Sequence, residues 1–463
     1  MQNMRKFSIR DEAGYVFGDM AGSFVNLFVD AYFLVFCTYA LGIDAKWMGT
    51  LFVVARLWDA INDPIMGSFP DRWQIGKSGD KFKPYIKIFM FPLAMSGILC
   101  FVDVSAWNLS GFALHAWVAF VYILFGMSYT GTSMPFGAMA SVISEDPLER
   151  TKLSRARSIG GSLVGILVAS LPPVFCFVNG DQVIPGRFTL LAVIFGVCSF
   201  ISYSLLNHLT IERIRQPRKA AEKFEYSKVL KSVFSNRPLL GVMFATLGSM
   251  LFITGNAQLG AYIFKEYYHN TSVMAIVNVA TLPLLIVLLP LVPRLTARMG
   301  KRKVVIAFSA FGLVVFGFLL AVPISNVYVY AALSIVGMLG TSSFVMVVWA
   351  LVTDCLDYTE WTTGERSDGS MYSIYTFSRK IGSTIASAVA AFGLDAIGFQ
   401  SGLEVVQTQQ TVDSIRVLVC LIPVLACLLQ IIGIGFIYNL DEDKTKKMYA
   451  ELKERRAESE IGA

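Results

Sequence analysis

Gly67-Ser68-Phe69-Pro70-Asp71-Arg72, followed by Gly76-Lys77, separates the second and third apolar runs of this chain. Pro293-Arg294-Leu295-Thr296-Ala297-Arg298-Met299-Gly300-Lys301-Arg302-Lys303 separates the eighth and ninth. A basic loop at the same place in each half is what an internal duplication of six spans leaves behind. Outward from these loops the spans can be counted, because a helix needs about 20 apolar residues to cross the hydrocarbon core. Twelve runs are expected, starting near Tyr15, Trp47, Tyr85, Phe112, Leu153, Phe188, Leu239, Ser272, Val304, Val327, Met371 and Arg416. The expected fold class is therefore an all-α integral membrane protein. It has an N-terminal six-helix half (1–210), a linker (211–237), a C-terminal half (238–440) and a tail (441–463).

Composition agrees. Hydrophobic residues make up 55% of the 463, charged residues 16%, and mean hydropathy is +0.59. A soluble domain needs about 25% charged residues to cover its surface. The net charge of +6 does not form a nucleic-acid patch, because the basic residues sit in alternate loops. Arg5, Lys6 and Arg10 precede the first run, and Arg150, Lys152, Arg155 and Arg157 follow the fourth. Arg213, Arg215, Arg218, Lys219 and Lys223 follow the sixth. By the positive-inside rule both termini are expected in the cytoplasm, and the protein in a bacterial inner membrane. The first run is too long for a cleavable signal. Seven cysteines without CxxC spacing read as reduced packing residues, and three scattered histidines offer no metal set. With no soluble domain and no nucleophile–base pair, an enzyme is not expected.

Charge inside a membrane is costly, so it marks function. The second run contains Arg56-Leu57-Trp58-Asp59-Ala60-Ile61-Asn62-Asp63-Pro64. Asp59 and Asp63 are one helical turn apart and share a face, with Asn62 beside them. Two such carboxylates repel unless a cation or proton lies between them. The plainer alternative is an Arg56–Asp59 salt bridge that only locks helices. In the first run Asp19 is placed to accept hydrogen bonds from solute hydroxyls, or to pair with a distant base; Asp30 receives no role. The fourth run ends in Tyr129-Thr130-Gly131-Thr132-Ser133-Met134-Pro135-Phe136-Gly137, hydroxyls before a proline, which suits a broken helix lining a polar site. Arg157 lies deeper in its run than Arg155. In the eleventh run Thr376 precedes Arg379-Lys380. The acidic, aromatic segment from Trp349 to Arg366, with Asp354 and Asp357, is expected to act as a gate or salt-bridge lock; an ordinary loop is the alternative.

Twelve spans as six plus six, with this loop, resemble the major facilitator superfamily. The stretch Gly49 to Gly67, then Lys81-Phe82-Lys83-Pro84, is similar to the glycoside–pentoside–hexuronide:cation symporter family. Asp354-x-x-Asp357-Tyr358 and Tyr372 to Lys380 support it, and the likeness covers nearly the whole chain. The resemblance implies a cation site at Asp59, Asn62, Asp63 and Thr130. It implies a sugar site at Asp19, Arg157, Thr376 and Lys380, flanked by Tyr129 and Ser133. Two positions depart from the melibiose-carrying members. Ser133 stands where they have a carboxylate, and Gly137 where they have a sugar-stacking tryptophan. The Met134–Gly137 pattern is closer to glucuronide and xyloside carriers.

The expected function is cation-coupled symport of a sugar, glycoside or hexuronide by alternating access. Sodium is favoured over protons, because Asn62 and Thr130 add neutral oxygens that a hard cation needs. No cofactor and no metal beyond the coupling ion are expected. The partners are a small sugar, a monovalent cation and the bilayer, with no nucleic acid, and the protein is expected to be a monomer. Alternatives are a lysolipid carrier on the same fold and a non-transporting membrane sensor.

Overall fold

The computed structural model describes residues 5–73, 75, 79–107, 109, 111–214, 236–363 and 368–461. Among these, the first six long helices are α1 (Ile9–Val35), α2 (Ala45–Arg72), α3 (Lys83–Leu99), α4 (Gly111–Ile143), α5 (Pro147–Phe175) and α6 (Pro185–Leu209). The next six are α7 (Arg237–Tyr262), α8 (Ser272–Met299), α9 (Lys301–Ala321), α10 (Val327–Thr363), α11 (Asp368–Ala396) and α12 (Gln409–Ile431). A polar helix, α13 (Glu442–Ile461), follows.

Eight of these helices are long and apolar enough to cross a membrane by themselves. Helix α8 makes a ninth if its two segments, bent by 42° between Thr281 and Ile286, are one span. Helix α3 runs for only 17 residues. Helices α2 and α11 carry Arg56, Asp59 and Asp63, and Arg379 and Lys380, among their apolar residues. Apolar side chains such as Val314 (71% exposed) and Ile286 (68%) stand on the outer surface, where lipid replaces water as their solvent.

The chain divides into two compact units, 1–223 with 398–407, and 224–397 with 408–463. Most of the expected linker, residues 215–235, lies outside the described residues. The two units repeat one packing plan. In the first, α1 packs on α5 and α6, α3 on α4 and α6, and α2 on α4. In the second, α7 packs on α11 and α12, α9 on α10 and α12, and α8 on α10. The opening helix of each unit ends in a π turn, Phe36–Ala40 after α1 and Ile263–Tyr267 after α7.

Each core follows from its side chains. In the first unit Phe28 meets Phe101 at 4.3 Å between ring centroids and Phe195 at 5.2 Å edge-on. In the second, Leu239, Val242, Leu288, Phe344, Leu351 and Ile434 form one buried cluster. Gly241 and Gly433 let backbone touch backbone there: a Cβ on either would fall within about 2.6 Å of the other's carbonyl oxygen. All seven cysteines are unbridged, six of them buried.

One local expectation changes. Helix α4 is not broken before Pro135 but continues through it to Ile143. Proline removes one donor, and a membrane helix tolerates that loss where neighbouring groups compensate. The carbonyl that Pro135 leaves without its usual N–H is that of Gly131; Thr132 on the same turn donates to a different one, that of Tyr129, at 3.0 Å. The loop after α5 forms a small antiparallel hairpin, Phe177–Val178 with Gln182–Val183. Its turn uses left-handed backbone at Asn179 (φ 54°) and Gly180 (φ 92°), where asparagine and glycine are the least strained residues.

The chain leaving the sixth helix of each unit returns to the start of the third. Glu212 accepts the backbone N–H groups of Lys81 (2.5 Å), Phe82 (3.0 Å) and Lys83 (2.8 Å). An anionic acceptor at a helix N-terminus satisfies orphan donors and complements the helix dipole. Burial pushes the Glu212 carboxyl above its ordinary range, while these three N–H groups pull it back. Lys83 donates to the Thr210 carbonyl. Beside it Asp11, fully buried, accepts Arg5 and Arg213, each at 2.9 Å. In the second unit Glu442 lies against Gly300 (φ 85°), immediately before α9. Arg302 donates to the carbonyls of Ile434 (3.2 Å) and Gly435 (2.6 Å).

Glu212→Ala is expected to lower stability by about 1–2 kcal/mol, the cost of a lost helix cap with buried donors. The purified protein in detergent should melt earlier, with Glu212→Gln intermediate. A melting temperature equal to the parent's in Glu212→Ala would show that the cap carries no stability.

Candidate functional site

Helix α2 faces α4 along the side that carries its acids. The Thr130 hydroxyl of α4 donates to Asp63 of α2 at 2.8 Å, with both side chains buried. Asn62 is 5% exposed, and its Nδ2 has no hydrogen-bond partner among the described residues. An amide presents a donor and an acceptor end that exchange by a 180° flip, so Asn62 can offer either to this place. Asp59, one turn earlier on α2, packs on Gly126 of α4, whose Cβ would lie 3.2 Å from Asp59 Oδ1. The packing of α2 on α4 thus sets Asp59, Asn62, Asp63 and Thr130 along a single helix interface.

A second polar place lies where α5 crosses α1. Arg157 Nε donates to Asp19 Oδ1 at 2.9 Å. The sequence alternative of a distant basic partner for Asp19 is therefore what the fold provides. The Asp19 side chain is 18% exposed and that of Arg157 48%, so the pair opens to a ligand on the arginine side. The guanidinium also lies 5.4 Å from the centroid of the Phe136 ring. Tyr15 fixes that turn of α4 by donating to the Phe136 carbonyl at 3.0 Å. Two glycines allow the approach. A Cβ on Gly160 would lie 2.3 Å from the Val16 carbonyl oxygen, and one on Gly161 2.5 Å from Asp19 Oδ2.

Tyr129 packs at 6.1 Å on Phe125 and lies against Gly22 of α1. Ser133 is half-buried one turn later. A Cβ on Gly137 would meet nothing within 4 Å, so the position of the missing tryptophan faces open space. Arg155 stands apart, 3.4 Å from Glu12 and 69% exposed.

Sequence reasoning missed the role of Asp30. Arg56 Nη2 lies 3.5 Å from Asp30 Oδ1, and Nη1 lies 3.4 Å from Asp59 Oδ2. The Arg56–Asp59 contact is present, but the guanidinium is shared with α1. Asn26 Nδ2 holds Asp30 Oδ2 at 2.9 Å. An Asn–Asp pair one turn apart on a membrane helix was the signal available in the sequence.

In the second unit Asp354 of α10 is 2% exposed and accepts Lys301 Nζ at 2.7 and 2.8 Å. Tyr438 donates to it at 3.3 Å, and Tyr449 of α13 donates as well. Burial, with the Asp354 carboxylate beside it, raises the Tyr449 phenol above its ordinary range. Trp361 Nε1 donates to Glu451 at 2.6 Å, which ties α13 to the end of α10. Asp357 is 7% exposed three residues after Asp354, whereas Arg366 lies outside the described residues. On α11, Thr376 is half-buried and Lys380 exposed, one turn apart. Trp349 packs on Tyr375 at 4.8 Å.

Chemically, the α2–α4 interface offers hard anionic and neutral oxygens, and the Asp19–Arg157 pair offers an acceptor and a planar donor fork. The first suits a small cation; the second suits hydroxyl or acid groups of a solute.

The family described as MFS/sugar transport protein matches residues 14–442. The uncharacterized symporter YjmB of Bacillus subtilis (strain 168) is 30% identical over 98% of this chain and 97% of its own length. A putative sulfoquinovose importer of Salmonella typhimurium is 28% identical over 97% of this chain and 94% of its own. A bacterial homolog of the human lysosomal transporter Spinster superposes with a TM-score of 0.62 at 11% identity, covering 95% of this chain and 98% of that one. The last likeness shows the fold alone. The chain is a multi-pass membrane transporter and not an enzyme: it belongs to the MFS/sugar transport protein family, with the major facilitator fold and the motifs of the glycoside–pentoside–hexuronide:cation symporters.

Proposed function

We propose that this transporter is a symporter in which sodium, held by Asp59, Asn62, Asp63 and Thr130, drives uptake of a sugar bearing an acidic group. The observation that carries the reading is the buried hydrogen bond from Thr130 to Asp63 at 2.8 Å. It gathers carboxylate and neutral oxygens from two helices, the donor set a hard monovalent cation needs; a proton needs only the carboxylate. The basic loops and tail favour both termini on the cytoplasmic side of a bacterial inner membrane. The transporter works as a monomer by alternating access.

The acidic sugar is supported by charge. Ser133 replaces a family carboxylate while Arg157 and Lys380 remain. Arg157 offers a half-exposed fork beside Asp19. The name of one relative, a putative sulfoquinovose importer, points to a sugar with a sulfonate, which supports an anionic group on the solute.

In vesicles, Asp63→Asn should abolish accumulation driven by a sodium gradient and leave downhill exchange. Raising sodium at fixed pH should raise uptake by the parent. Uptake that follows pH alone would replace sodium by protons.

Gly161→Ala puts a methyl group 2.5 Å from Asp19 Oδ2 and must displace that carboxylate, so it should weaken sugar binding to purified protein in the same direction as Asp19→Ala. Unchanged affinity in both variants would remove Asp19 from the sugar site.

Lys380→Ala should weaken binding of a uronide by about tenfold more than binding of the neutral glycoside, as loss of a charge-assisted contact implies. Equal losses for both ligands would end the case for an acidic sugar.

A further inference from the structure

Three ionised side chains meet where α1 passes α2, and one of them belongs to the proposed cation site. Arg56 reaches Asp30 with one terminal nitrogen (3.5 Å) and Asp59 with the other (3.4 Å). Both distances exceed the roughly 2.7–2.9 Å of a closed charge-assisted hydrogen bond. The guanidinium thus stands between two carboxylates. Asp30 is fixed on its helix by Asn26 at 2.9 Å. Asp59 is held against α4 at Gly126. Of the three, the arginine has the longest side chain, and a small rotation would close it on either acid.

A cation at Asp59 and the Arg56 guanidinium are like charges competing for one carboxylate. They cannot occupy it together without repulsion in a medium of low dielectric. The cation therefore enters as Arg56 leaves. A guanidinium in a membrane helix gives up one anion only toward another, because losing its counter-charge there is costly. Asp30 is already within 3.5 Å of it.

We infer that Asp30 is a positioning residue for the coupling cation: it receives Arg56 as the cation binds Asp59, and so sets the cation affinity. The inference rests on the cation site proposed above. It deepens that site by a residue on α1 that never touches the ion.

The test is sodium binding to the purified full-length chain, without sugar, by calorimetry at constant ionic strength with choline as the balancing cation. Asp30→Asn should weaken sodium binding at least about fivefold, within the span usual for coupling between two sites. Asp30→Glu should retain the parent affinity. In an Arg56→Gln background the same Asp30→Asn change should move the affinity by less than about twofold, because the competitor is gone. A direct ligand role for Asp30, or a general field effect, predicts the same loss in both backgrounds, and that result overturns the inference. So does parent-like sodium binding by Asp30→Asn. Should Asp30→Asn fail to fold, Asn26→Ala carries the test: it releases Asp30, weakens sodium binding, and loses its effect in the Arg56→Gln background. A parent chain that binds no sodium overturns the proposed site, and this inference with it. A parent that binds sodium beside an indifferent Asp30→Asn sinks the inference alone.

Discussion

An ionised side chain in hydrocarbon must find its counter-charge or hydrogen-bond partner within the protein, since no water waits to solvate it. The first unit is arranged around that constraint. Arg56 lies between Asp30 and Asp59, Asp63 takes the Thr130 hydroxyl, and Asp19 takes Arg157. Each contact joins two helices or two turns, so satisfying the charges also fixes where α1, α2, α4 and α5 sit against one another. In the proposed reading a cation or an acidic solute replaces a side chain as the partner, so that binding and packing draw on one set of atoms.

The glycines follow from the same need. Gly126, Gly160 and Gly161 stand where a carboxylate or a backbone carbonyl must come close. At the basic loops of each unit the need is different. There the donors of helix N-termini and the carbonyls of helix C-termini need partners, and Glu212, Arg213, Lys83 and Arg302 supply them. In both units the segment after the sixth helix lies against the start of the third. Asp354 adds a variation in the second unit, where Lys301, Tyr438 and Tyr449 converge on one buried carboxylate and bring α13 with them.

Hydropathy sees this architecture unevenly. Helices with uniform apolar runs, such as α9 and α12, announce themselves. Helices α2 and α11 do not pass on apolarity because they carry ionisable residues, and α3 is short. The candidate residues Asp59, Asn62, Asp63, Thr376 and Lys380 lie on α2 and α11, whereas Asp19, Thr130 and Arg157 lie on helices that pass as apolar spans.

The sequence by itself determined the membrane class, the duplicated six-helix plan and the shared face of Asp59 and Asp63. These depend on run length, loop charge and a turn-by-turn period, all local along the chain. The family motifs added the candidate sites. Only the tertiary structure decided the partners. Arg157 and Asp19 are 138 residues apart in the chain, Thr130 and Asp63 67 apart, and Glu212 is about 130 from the N–H groups it caps. No period or composition encodes such distances; they exist because helices pack. The structure likewise kept α4 whole through Pro135. It also gave Asp30 a partner. From the sequence that residue was one more acid on an apolar helix; beside α2 it is the second anion within reach of Arg56, because packing set the two helices at that separation.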